Sequence, residues 1–319
     1  MTATATKPRV SIGVPVYNGD RYLAATLDSL LAQTYTDFEL IICDNASTDD
    51  TGHISRRYAE RDPRIRYVRN KQNIGASGNY RRALELASGE YFRWANSDDL
   101  FAPQGLARCV EVLDQQPSVV LVYPKTRLID QDGNFISEYD DELDLPMDRA
   151  SVRFKQALSR IGLVNIIYGL MRTTALRHTG LLRKYPGGDI PLVAELTLYG
   201  TFWEIPEFLF FRRLHATASS SYRDNVGLTQ EFFDPSTKGR FSMREWQHLG
   251  AHIRSVARAP LPPAEKLDLG AFVLHMGVWK RQTLAQELVG AVRHWLHTNG
   301  LREKMIAYLI LFFALAEYA

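Results

Sequence analysis

The chain of 319 residues carries 38 Lys and Arg against 36 Asp and Glu, a formal net charge of +2, and 45% of its residues are hydrophobic. That content builds a packed core and excludes a disordered or fibrous chain; at about 150 residues per domain the length fits one large domain or two modest ones. The charge balance excludes a protein that grips nucleic acid over its whole surface, so no nucleic-acid partner is expected.

Cys43 and Cys109 lie far apart with no metal-ligand spacing, which argues against a disulfide framework or zinc finger and suits a reducing cytoplasm. Residues 1–7 read as a disordered tail. They show no basic region leading into an apolar core, so no secretory signal and a cytoplasmic location are expected.

Val10-Ser11-Ile12-Gly13-Val14-Pro15-Val16 reads as a short apolar strand. Tyr22, Leu23, Leu27, Leu30 and Leu31 then recur at helical spacing and predict a helix over 21–34. A second buried-type strand over 38–43 ends at Asp44, and a polar loop and a helix over 51–61 follow. Residues 65–69 form a third strand, 70–78 a loop, 79–88 a helix and 90–95 a fourth strand. This alternation predicts the α/β class, with a parallel sheet covered on both faces. Right-handed crossovers place the strand C-terminal ends on one edge, where open α/β sheets bind ligands. Asn18, the 44–49 loop, the 73–78 loop and the 96–99 turn each follow a strand, so they should converge on one crevice.

Downstream, 119–122 reads as a strand. Asp130-Gln131-Asp132-Gly133-Asn134 has turn chemistry between hairpin arms at 126–129 and 135–139. A sheet-like stretch at 165–171, a helix over 190–199 and a strand over 208–214 come next. Beyond Ser221 the pattern is helical, broken at Pro260-Leu261-Pro262-Pro263 and periodic again over 267–288. His248 and His252, four apart with no third ligand, read as part of a solvated helix face. Trp94 and Trp203 read as core residues.

No P-loop, dinucleotide-binding glycine pattern, Gly-x-Ser-x-Gly elbow or His-Glu-x-x-His occurs, so nucleotide-hydrolysing, Rossmann and hydrolase readings lose their usual support. Carboxylates at strand ends are present instead. Asp44 can cap the turn before the 51–61 helix or accept hydrogen bonds from a base edge or sugar hydroxyl, and both readings stand. Asn96-Ser97-Asp98-Asp99 offers hard oxygens for Mg²⁺ or Mn²⁺ on a diphosphate, or else caps the helix expected over 103–114.

Over about 8–221 the chain resembles the family-2 glycosyltransferases. The resemblance rests on Val14-Pro15-Val16-Tyr17-Asn18, Gln33-Thr34-Tyr35 before Phe38-Glu39-Leu40-Ile41-Ile42, and Asp44-Asn45-Ala46-Ser47-Thr48-Asp49-Asp50-Thr51. It continues in Asn73-Ile74-Gly75, Ala87-Ser88-Gly89-Glu90-Tyr91 and Ser97-Asp98-Asp99. The resemblance implies a GT-A fold: a mixed, mostly parallel sheet flanked by helices over 8–220, followed by a helical region over 221–319. Its 8–128 half would bind a nucleotide sugar and its 129–220 half an acceptor.

The resemblance also implies roles. Pro15, Tyr17 and Asp44 would hold the nucleoside, with Asn18, Asn73, Asn96 and Ser97 in the same donor site. Asp98 would bind Mg²⁺ or Mn²⁺ on the diphosphate; Asn96 stands where the family has the first Asp of Asp-x-Asp, which leaves one charge fewer. Asp189, in Gly187-Gly188-Asp189-Ile190, would be the base that deprotonates the acceptor hydroxyl in an inverting transfer. Arg212 and Arg213 would offset leaving-group charge, and His215 would be a further metal ligand.

The implied partners are a nucleoside-diphosphate sugar and a glycan or lipid-linked acceptor in cell-envelope glycan synthesis. A sugar-nucleotide nucleotidyltransferase and a non-catalytic nucleotide-sugar binder are the alternatives. The apolar run 305–316, preceded by Arg293, His294, His297, Arg302 and Lys304, is too short to span a bilayer. Peripheral contact with the inner membrane face through 301–316 and packing on protein, in the same chain or in a homo-oligomer, both stand.

Overall fold

β-branched and apolar residues alternate along the first strands, and the helices between them return the chain in the same direction each time. The computed structural model describes residues 7–216 and 226–298. The strands and helices alternate from the start: β1 Val10–Val16, α1 Asp20–Leu31, β2 Phe38–Asp44, α2 Thr51–Arg61, β3 Ile65–Arg69, α3 Gly75–Leu86 and β4 Tyr91–Trp94. β5 Leu100–Phe101, α4 Gly105–Gln115, β6 Val119–Ile129, β7 Phe135–Tyr139, α5 Ala150–Arg160, β8 Leu170–Arg172 and α6 Thr173–His178 follow. Then come α7 Asp189–Leu196, β9 Thr201–Arg213, α8 Val226–Phe233, α9 Arg244–Arg258, α10 Pro263–Trp279 and α11 Arg281–Thr298.

The described strands form one sheet in the order β3-β2-β1-β4-β8-β6-β9-β5, with β7 paired to β6. β3, β2, β1, β4, β6 and β9 point one way; β5, β7 and β8 run against them. The expected mixed, mostly parallel sheet flanked by helices is therefore present. Val16 pairs with Asp44, and Asp44 with Arg69, so β1, β2 and β3 end level and deliver their loops to one edge.

Period-two alternation splits each strand between two layers. Val10, Ile12, Val14, Leu40 and Ile42 pack with Leu23, Leu27 and Leu30 of α1 and with Leu106, Val110 and Leu113 of α4. Ile41, Cys43, Phe92 and Trp94 face the other way, toward Ala83 and Leu84 of α3. Gly13 is required on that face: a Cβ there would lie 2.8 Å from the Ala83 methyl and 3.0 Å from the Phe92 ring. A third cluster, with Phe154, Ala194, Val256, Leu269 and Val273, joins α5 and α7 to α9 and α10.

Several expected elements differ. Residues 119–122 and 126–129 are one strand, β6, which continues through Pro124; its register with β9 shifts on either side of Lys125, next to the residue with no N–H to give. The 165–171 stretch splits into a 3-10 turn, Asn165–Tyr168, and the three-residue β8, because Val164 adopts a left-handed φ of 59° and turns the chain. The 267–288 periodicity is broken at Lys280 into α10 and α11. Among the described residues no helix is long and apolar enough to cross a membrane. The 305–316 run lies outside the described residues.

Candidate functional site

The loops after β1 and β2 are stitched together. Asn18, at φ 49°, donates its N–H to Ser47 Oγ at 3.0 Å, and its side-chain oxygen accepts from Thr48 N at 2.8 Å. Gly19 N donates to Thr51 Oγ1 at 2.8 Å and Asp20 N to Asp49 at 3.1 Å. This leaves Tyr17 44% exposed at the strand mouth, while Pro15 is buried within β1.

Asp44 is fully buried at the end of β2. One oxygen accepts from Ser47 N at 2.8 Å, which is the turn-capping reading; the other accepts from Tyr67 Oη at 2.7 Å and Arg69 at 2.6 Å. Burial pushes this carboxyl up, but the bonds from Ser47 and Tyr67 and the Arg69 charge outweigh it and hold it below the usual range. The Ser47 hydroxyl adds a further bond, so this carboxylate, with no exposed surface, is satisfied by its own neighbours. Tyr67 and Arg69 were not singled out from sequence. Their signal is the i, i+2 spacing on β3, which puts both on one face of a strand next to Asp44.

Asn73 is exposed, and its side-chain oxygen accepts from Asn45 and from Gly75 N, each at 2.8 Å, so it fixes the start of α3. Asn45 also accepts from Asn70 and Ile74 N, both at 3.0 Å, and Asn79 donates to the Cys43 carbonyl at 2.7 Å. These amides brace the β2 and β3 loops against α3.

The turn after β4 holds the other half of the site. Asn96 accepts from Tyr80 Oη and donates to Asp99 at 3.1 Å and to Tyr168 Oη at 2.7 Å. An amide is the group that can do both; a carboxylate at 96 would face Asp99 with no proton to give. Asp99 is buried, accepts from Arg213 N at 2.8 Å, and has its carboxyl raised well above the usual range by burial and by the neighbouring Asp98 charge. Ser97 Oγ lies beside Gly19, 3.2 Å from where a Cβ would stand, which brings the β4 turn against the β1 loop.

Asp98 Oδ2 and His215 Nε2 stand 2.9 Å apart, contributed by segments 117 residues apart in the chain. His215 also packs on Tyr22, ring centroids 4.8 Å apart. Arg213 ties this corner together: its Nε donates to the Asp98 carbonyl at 2.9 Å and its guanidinium reaches the carbonyls of Asp130 and Gln131 at 3.2 and 3.1 Å. Arg212 is held by the Leu163 carbonyl at 3.1 Å and Asn165 Oδ1 at 2.5 Å. Both guanidiniums thus bring positive charge toward this corner while bridging segments.

Among the described residues no three His, Cys, Asp or Glu side chains converge as a metal cage. The Asp98 carboxylate is nonetheless a hard donor of the kind Mg²⁺ and Mn²⁺ take, ions that commonly keep water or phosphate oxygens in their remaining positions, while the His215 imidazole is a softer donor.

Asp189 opens α7, half-buried, with one oxygen 3.0 Å from Ile190 N. The glycines before it are needed. Gly187 has a φ of 75°, and a Cβ on Gly188 would lie 2.5 Å from the Arg183 carbonyl oxygen. The loop is seated from two sides: Ser77 of α3 donates to the Arg183 carbonyl at 2.7 Å, and Tyr185 Oη to the Gln247 carbonyl of α9 at 3.3 Å.

His248 and His252 are not on a solvated face. They are 9% and 2% exposed and line a cavity of about 290 Å³ with Gly187, Ile190, Glu245 and Lys280, because Ala251, Ser255 and Val256 place that side of α9 inward. Trp94 is fully buried, as expected; Trp203 is 39% exposed.

A family model described as Glycosyl transferase family 2 matches residues 11–173. Chondroitin synthase of Escherichia coli is 38% identical over 131 residues, 41% of this chain and 19% of that protein. The putative glycosyltransferase EpsE of Bacillus subtilis is 35% identical over 127 residues, 40% of this chain and 46% of that one. The chain thus aligns to less than half the length of either.

Among solved structures, S. aureus TarS 1–349 in complex with UDP-GlcNAc superposes with a TM-score of 0.63 at 16% identity, covering 90% of this chain and 81% of that one. The mannosyltransferase PcManGT of Pyrobaculum calidifontis, in complex with GDP-Man and Mn²⁺, gives 0.53 at 20% identity, covering 91% and 76%. These likenesses carry the fold, and the family match spans half the chain, including the β1, β2 and β4 loops. The chain belongs to glycosyl transferase family 2.

Proposed function

We propose that this protein is an inverting glycosyltransferase that moves a sugar from a nucleoside-diphosphate sugar to an acceptor hydroxyl, in the synthesis of a cell-envelope polysaccharide, glycolipid or related glycoconjugate. The observation that carries the reading is the Asp98–His215 pair at 2.9 Å, set beside the loops that the family match covers. TarS bound to UDP-GlcNAc and PcManGT bound to GDP-Man and Mn²⁺ support it, since both donors occur on this fold.

In this reading Tyr17 packs on the base, Asp44 exchanges one of its internal partners for a base or ribose donor, and Asn18, Asn73 and Ser97 border the same pocket. Mg²⁺ or Mn²⁺ held by Asp98 and His215 would supply positive charge toward the diphosphate. Arg212 and Arg213 add charge on the same side. Asp189 accepts the acceptor's hydroxyl proton as that oxygen bonds to the anomeric carbon, while the bond to the diphosphate oxygen breaks and its electron pair leaves with the nucleotide.

The test is Asp189→Asn. Sugar transfer should fall by at least about 10³-fold, within the range of general-base catalysis, while donor binding by calorimetry is retained. Turnover near that of the parent protein would overturn the assignment. A nucleotidyltransferase is disfavoured because the β1 loop, Tyr17-Asn18-Gly19, has no glycine-rich phosphate cradle. A pure binder would show donor affinity with neither transfer nor slow donor hydrolysis.

A further inference from the structure

α10 packs inward through Leu269 and Val273, both fully buried. On its opposite side Leu267, Ala271, Leu274 and Val278 follow one another at spacings of four, three and four, with Leu267 75%, Leu274 65% and Val278 55% exposed. That spacing is the seam of a helix meeting another helix. α11 repeats the pattern: Ala285, Leu288 and Val292 at spacings of three and four, with Val289 beside them, and 46–57% exposure at Leu288, Val289 and Val292. No charged residue interrupts either stripe.

Counting Trp279, 65% exposed at the end of α10, seven large apolar side chains are between 46% and 75% exposed here, an extent of the kind that contributes to the roughly 800 Å² each partner gives a stable dimer. Monomeric proteins seldom leave apolar stripes on two successive helices uncovered.

The form of the surface selects its occupant. A helix that lies on anionic lipid has a broad apolar face and a polar face rich in Lys and Arg. The α10 stripe is narrow, and the two helices carry Glu265, Asp268 and Glu287 against Lys266, Arg281 and Arg293, with Lys280 at the break between them and no marked cationic excess. We propose that the outward seam of α10, continued by Ala285, Leu288, Val289 and Val292 of α11, is a self-association surface on which a second copy of this chain packs the same helices about a two-fold axis. Such a contact is self-complementary, since each copy supplies the same seam and receives it.

The experiment is sedimentation velocity with light scattering on the full chain across a concentration series, alongside Leu274→Glu and the milder Val278→Gln. The full chain should reach twice the monomer mass. Val278→Gln should weaken the dimer about tenfold, and Leu274→Glu should be monomeric with the thermal transition of a dissociated parent chain. A parent chain that stays monomeric throughout overturns the proposal, as does a Leu274→Glu protein that dimerises like the parent. So does a monomeric parent whose thermal transition falls sharply on Leu274→Glu, which would mean that the chain's own 299–319 segment covers the seam. Monomeric parent protein that co-sediments with phosphatidylglycerol vesicles, and loses this in Leu274→Glu, would assign the face to lipid and equally overturn it.

Discussion

Asn96 illustrates how one residue's neighbours decide its type. Its oxygen is taken by Tyr80 and its N–H₂ by Asp99 and Tyr168, so Asn96→Asp replaces a donor with a second carboxylate beside a buried one. That change should cost about 1–3 kcal/mol, read as a lower urea midpoint at pH 7.5 with an unchanged slope. Asp98→Ala should abolish the Mn²⁺-dependent part of donor binding in calorimetry while leaving the metal-free part; equal binding with and without Mn²⁺ in the parent protein would remove the metal from the reading.

Asp44 stands out in sequence at the end of an apolar strand, whereas Asp98 and Asp189 are singled out through the family resemblance and their roles remain proposals. Asp99, Tyr80 and Tyr168 are singled out by neither. Asp99 follows Asp98 directly in the chain, and only the return of β9 shows which of the two faces inward.

At the scale of the helix, α9 carries the clearest difference between pattern and structure. His248, Ala251, His252, Ser255 and Val256 are all buried and fall on one side, a spacing present in the sequence but masked by two residues usually found near water. Burial pushes the His248 imidazole down to about 4 and the His252 imidazole to about 3, against an ordinary value near 6.5; around them Glu245 acts to raise these values, and Lys280 to lower them. The unfolded chain therefore takes up protons that the folded chain refuses. Stability from this pair is complete above pH 6.5 and is lost as pH falls from there toward 4 and 3. A His248→Gln/His252→Gln protein should lose less stability than the parent between pH 7 and pH 4.5, by on the order of a few kcal/mol in denaturant titrations. Parallel curves would show that these rings do not set the acid limit.

Across the molecule, the third apolar cluster makes α9 and α10 the support of α7, which begins at Asp189, the proposed base. Leu269→Ala should cost about 2–4 kcal/mol and slow transfer more than it weakens donor binding, since the cavity opens under the Asp189 side and not under the β1 and β4 loops. Equal loss of both would place the effect in global unfolding.

The first three strands are readable because each is a local apolar run followed by its own helix. The 100–213 region is harder. Its short antiparallel strands, β5 and β8, hold two or three residues each, and β6 finds its parallel partner β9 more than 80 positions later, a pairing that no local pattern announces. The same pairing has a temporal consequence. Asp98 leaves the ribosome early and His215 late, with 117 residues of chain to loop back before the two meet. Nascent chains can close the β1–β4 layer by local, rapid steps, but the Asp98–His215 corner must wait for the slow, high-contact-order docking of β9. In the proposed function, competence to hold a donor is thus among the last properties the polypeptide acquires during synthesis, well after its first strands have paired.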